Sequence, residues 1–140
     1  MSEPWFQPSQ VDDAIEHVIQ HGAINRATPI RYTAVFEAAR LPQPRDLHAG
    51  GEGDHVTMFM KAFHDRCIER GLPPLDSIVV HVAGARSGQP GVGYFTVNNE
   101  RDPFGERATA PQQIGAIGFL QRQQAEVARW GAEYRREHRL

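Results

Sequence analysis

Residues 71–97 are the most β-prone part of the chain, and helical patterns lie on both sides of them. Residues 77–83 read as a strand. Ile78, Val80 and Val82 point one way, while Val79, His81 and Ala83 point the other. Both faces are largely apolar, so the strand is expected to be central or covered on both sides. Residues 84–91 read as a hairpin loop, with Arg86, Ser87 and Gln89 at its polar tip and glycines at 84, 88, 91 and 93 to supply positive φ angles. Residues 93–97 return as a second strand. The expectation is a small α+β domain in which an antiparallel β-hairpin, or a three-stranded sheet, packs against about four helices.

The helices before this stretch have clear signatures. Trp5 and Phe6 sit on an N-terminal arm, residues 1–8, and are expected to dock on the body. Ser9 reads as an N-cap, with Asp12 and Asp13 in the first turn. Val11, Ala14, Ile15, Val18 and Ile19 then form one helical stripe, which Gly22 ends. Asp13, His17 and His21 share another face, and a His-x-x-x-His pair is able to bind a metal. The glutamate of the protease motif is missing, since Val18 follows His17. That face therefore reads as solvated, with no metal. A short strand is expected around Ile30, and a second helix from Thr33 to Arg40 that Pro42 and Pro44 stop. Residues 42–53 read as a linker, with Asp54 capping the next helix. The glycines between His48 and His55 do not form a Walker loop, because no Gly-Lys-Ser/Thr ending follows.

The third helix is expected from His55 to Arg70. Val56, Phe59, Met60, Phe63 and Cys67 form its main stripe, and Met58, Ala62 and Ile68 add apolar surface elsewhere. A helix this apolar packs on more than one side. Cys67 on the stripe reads as a buried, inert thiol. His64 and Asp65 are sequence neighbours, about 100° apart on a helix, and form no dyad with each other. After an irregular stretch, Thr109, Pro111 and Gln112 make a capping box. The last helix runs to about His138, with Ile117, Leu120, Val127 and Tyr134 on one side. Arg129, Arg135, Arg136 and Arg139 make its end basic, which suits the helix dipole.

The 140 residues read as one domain: an arm over 1–8, a core over 9–110 and a long helix over 111–140. A net charge of −2 argues against a strongly basic nucleic-acid binder, though a local basic patch is compatible with it. Cys67 is the single cysteine, so no intramolecular disulfide forms and a reducing, cytoplasmic setting is expected. No apolar run of about 18 residues is present, and the N-terminus lacks the pattern of a signal peptide.

Arg31-Tyr32-Thr33 leading into a short helix, a longer third helix, and residues 73–97 with paired valines and a glycine-rich turn resemble winged-helix domains of the alkyltransferase-like kind. The reactive Pro-Cys-His-Arg motif of that family is absent, so alkyl transfer is not implied. Leu-Pro-Pro-Leu-Asp-Ser-Ile-Val-Val and Gly-Gln-Pro-Gly-Val-Gly-Tyr are also similar to small bacterial proteins of unknown function.

The resemblance implies a winged-helix order. Its third helix would enter the major groove, and the loop at Arg86 would touch the backbone. The residues expected at such a nucleic-acid surface are Arg31, Lys61, His64, Arg86, Ser87 and Gln89. The functional expectation is a non-catalytic binding domain with nucleic acid as partner and no cofactor. One alternative is an interaction module, a homodimer through the third or the C-terminal helix. The other is a small enzyme in which His48, His55, His64 and His81 converge with Asp65 or Glu69. No Ser/His/Asp or paired-carboxylate spacing marks a catalytic residue.

Overall fold

Helix α1, Pro8–Val18, carries the predicted stripe, with Val11, Ala14, Ile15 and Val18 buried. Its cap is Gln7 rather than Ser9: the Gln7 N–H donates to the Gln10 side chain at 2.8 Å. Pro8 then opens the helix, where a missing N–H costs nothing. The computed structural model describes residues 5–46, 55–81, 88–100, 102–103 and 108–140. Trp5 and Phe6 dock as expected. Phe6 is buried edge-on against Phe59, ring centroids 5.0 Å apart, and Trp5 Nε1 donates to the His55 carbonyl at 3.2 Å.

Gly22 does not end α1. The chain continues through a π-helical turn, Ile19–Ala23. A Cβ at residue 22 would stand 2.8 Å from Ile78 Cδ1 and 2.9 Å from the Thr28 carbonyl oxygen, so glycine serves close packing here. Left-handed backbone at Arg26 and Ala27 (φ 58° and 53°) then turns the chain toward the first strand.

The sheet differs from the expected hairpin. Strand β1, Ile30–Arg31, pairs in parallel with β2, Val79–Val80, in the register Ile30↔Val79 and Arg31↔Val80. A parallel pair needs a crossover, and helices α2, Tyr32–Ala38, and α3, His55–Glu69, provide it. Ser77 belongs to a 3-10 turn, Leu75–Ile78, and not to a strand. Residues expected to return as the second strand instead form a helix, α4, Val92–Val97. The reason is packing. Tyr94 and Phe95 are both buried in one cluster with Ala116 and Leu120. Strand geometry would send consecutive side chains to opposite faces, whereas a helix places both on adjoining parts of one face. β-propensity yields to that context. With no returning strand among the described residues, the winged-helix order is not realised. The tip with Arg86 and Ser87 lies outside the described residues. Gly88 and Gln89 fold back on His81, with the Gly88 N–H donating to the His81 carbonyl at 2.7 Å and the His81 N–H to the Gln89 carbonyl at 3.0 Å.

Helix α3 buries Phe59, Met60, Phe63 and Cys67, and packs against α1, α4 and the 3-10 turn. That many-sided packing is what its apolar circumference predicts. Gly71, at φ 65°, closes it, and the Leu72 N–H reaches back to the Cys67 carbonyl at 2.9 Å.

The last helix, α5, Ala110–His138, begins at the predicted capping box: the Thr109 N–H donates to Gln112 Oε1 at 2.9 Å. Its 29 residues span about 43 Å. Ala116, Leu120, Val127 and Gly131 form its buried side. Ile117, expected there, is 38% exposed. No described helix is long and apolar enough to cross a membrane.

Candidate nucleic-acid interface

Among the described residues, those expected at a groove-reading surface differ in exposure and pairing. Arg31 is exposed on β1. Lys61 is exposed but paired with Asp65 on its own helix at 2.9 Å. His64 is turned inward, its side chain 13% exposed, with Nδ1 3.0 Å from Asp76 Oδ2. Gln89 is half-buried, and its carbonyl is occupied by the His81 N–H. Arg86 and Ser87 lie outside the described residues. Two further cations near this helix are paired. Arg66 bridges Asp12 at 2.9 Å and Glu69 at 3.1 Å, and Arg70 reaches Asp12 at 3.5 Å.

Each of the described histidines of the expected pocket has its own partner. His55 lies edge-on to Trp5 at 5.4 Å, and His81 lies against Tyr32 at 4.7 Å. His48 is outside the described residues. His64 and Asp76 do form a buried pair. The hydrogen bond to Asp76 raises the His64 pKa above its usual value, against the opposing effect of burial. Asp76 Oδ1 and Ser77 Oγ are buried without a hydrogen-bond partner. Ser77 is fully buried. Burial pushes the Cys67 thiol up to about 12, as expected of an inert thiol. Burial also raises the Tyr94 phenol, whose hydroxyl donates to Gln123 Oε1 at 2.7 Å. His17 and His21 lie with ring centroids 4.4 Å apart. The His17 pKa is lowered, by burial first and then by His21, with Glu37 opposing. Among the described residues no group of three or more His, Cys, Asp or Glu side chains is placed to hold a metal.

A basic surface lies on the last turns of α5. A groove of about 400 Å³ runs between the last turns of α5 and the turn after the π-helical segment. Ile24 and Arg26 line one bank; Ala128, Ala132, Arg135, Arg136, Arg139 and Leu140 line the other. The α5 residues from 128 to 139 recur at helical spacing and share one face. The two alanines keep the floor low.

Gly131 sets the approach of the two banks, because a Cβ there would run into the Ala23 carbonyl. Arg135 Nη1 ties the banks together by donating to the Ile24 carbonyl at 2.9 Å. None of the four lining arginines forms an ion pair among the described residues, and no carboxylate side chain lines the groove. The negative end of the α5 dipole amounts to about half a charge, so four guanidinium groups outweigh it.

Composition at the end of the last helix signalled three of these arginines. Arg26, more than a hundred residues away in the chain, carried no signal of its own. Comparison of the chain with protein-family models, curated proteins and solved structures gives no match.

Proposed function

We propose that this domain binds nucleic acid, and that its contact surface is the arginine groove of α5 rather than α3. The observation that carries this reading is the set Arg26, Arg135, Arg136 and Arg139 around one groove, unpaired with any described carboxylate. Guanidinium groups form bidentate hydrogen bonds with phosphate oxygens and keep their charge at every physiological pH. A net charge of −2 makes the whole molecule a poor polyanion binder, so contact must be local to this end.

The test is fluorescence anisotropy of labelled oligonucleotides across a salt series. Four neutralised phosphates give a log–log salt slope of about −3, a loss of roughly fiftyfold between 50 and 200 mM salt. Arg136→Ala and Arg139→Ala should each flatten that slope by about one phosphate. Absence of binding at micromolar protein and low salt would reject the reading.

A second reading is homodimerisation through the first half of α5, where Ile114 is 75% and Ile117 38% exposed. These two lie three positions apart on one side of the helix. Light scattering of the wild type and of Ile114→Lys decides it: a strict monomer at high concentration removes this reading.

A further inference from the structure

We infer that the nucleic acid taken by the α5 groove is single-stranded, with a base stacked on the outer end of an aromatic row beside the arginines. This inference rests on the nucleic-acid reading above. Trp130, Tyr134 and His138 recur at i, i+4 spacing along the last turns of α5. Trp130 and Tyr134 have ring centroids 5.2 Å apart with planes tilted by 32°. Tyr134 and His138 are stacked, 3.9 Å apart and 15° from parallel.

The row begins in the body and ends in solvent. Trp130 packs against the main core cluster, Tyr134 is half-buried, and His138 is exposed. The His138 ring is held in place, with Nδ1 2.8 Å from the Tyr134 carbonyl oxygen, which makes Nδ1–H the donor. One face of that imidazole is covered by Tyr134, and the other continues the stack outward. A ring already fixed in orientation loses little conformational freedom when a base stacks on it.

Arg135 connects the two chemistries. It is three positions from His138 and four from Arg139, so both are its neighbours on the helix surface. A stacking platform and a phosphate site therefore adjoin. That combination suits unpaired bases, whose faces are open, and not a duplex interior, whose faces are already stacked.

The experiment compares a labelled single strand of about 15 nucleotides, mixed in sequence, with the blunt duplex of the same sequence, by anisotropy at fixed salt. The single strand should bind about tenfold more tightly. His138→Ala should weaken the single strand about fivefold, as loss of one stacked base does, and leave its salt slope unchanged. Arg139→Ala should instead flatten the slope. His138 is exposed on the last turn, so its replacement does not threaten the fold.

Equal or tighter duplex binding, or single-strand affinity indifferent to His138→Ala while the arginine variants still weaken it, overturns the inference and leaves the nucleic-acid reading standing. Failure of both probes to bind overturns the two together.

Discussion

Helix α3 and the end of α5 both carry several cations, yet they use them differently. On α3, Lys61 and Arg66, and just past its end Arg70, each face a carboxylate within 3.5 Å, and His64 is buried on Asp76. On α5, Arg135, Arg136 and Arg139 face a groove lined by no carboxylate side chain. The α3 charges hold helices together through Asp12 of α1 and Asp76 of the 3-10 turn. The α5 charges have no such ion pair among the described residues. Charge count alone does not separate the two cases; the partner within reach does.

Variants of the α3 charges should therefore cost stability without touching nucleic-acid binding, and variants of the α5 arginines should do the reverse. The largest effect is expected from His64→Ala, which strands the buried Asp76 carboxylate and should lower unfolding free energy by about 3 kcal/mol or more in urea titrations. His64→Gln keeps a donor and removes the titration. Because the folded pKa of His64 is raised, its stabilisation is fully present below about 6.5 and is lost as pH rises through the folded value. The wild-type urea midpoint should fall as pH rises above that point, and the fall should flatten in His64→Gln. A midpoint that rises over the same window would contradict the pairing.

Next in size is charge reversal on α5. Arg136→Glu with Arg139→Glu should weaken oligonucleotide binding by about two orders of magnitude, or ~2.7 kcal/mol, with little change in the urea midpoint. Equal binding by this variant would erase the contrast between the helices. Gly131→Ala should cost about 2 kcal/mol of stability, because the Ala23 carbonyl must give way, and should also weaken binding by parting the two banks of the groove. The smallest effect is expected from Arg66→Ala. Loss of this half-exposed pair with Asp12 should lower the urea midpoint only slightly and leave the salt slope of binding unchanged.

The helical frame was legible where side chains repeat at helical spacing and a stop signal follows. Val11, Ala14, Ile15 and Val18 on α1, and Phe59, Met60, Phe63 and Cys67 on α3, are buried as their periodicity requires. The Thr109–Gln112 box opens α5 because capping is a local interaction between residues three apart. Residues 92–97 were not legible. Val, Tyr, Phe and Thr favour a strand in isolation, and only the joint burial of Tyr94 and Phe95 against α5 makes them a helix. The candidate site was half legible: a basic helix end stands in the sequence, but its significance does not.

By itself, then, the sequence determined the three long helices, the docking aromatics of the arm, the inert Cys67 and the basic end of the last helix, all consequences of short-range spacing and composition. Only the tertiary structure decided that β1 pairs in parallel with β2, that His64 is committed to Asp76, and that Arg26 joins Arg135, Arg136 and Arg139 around one groove. Each of these depends on which distant residues meet. Contact between residues far apart in the chain follows from how apolar faces pack, which no local pattern encodes.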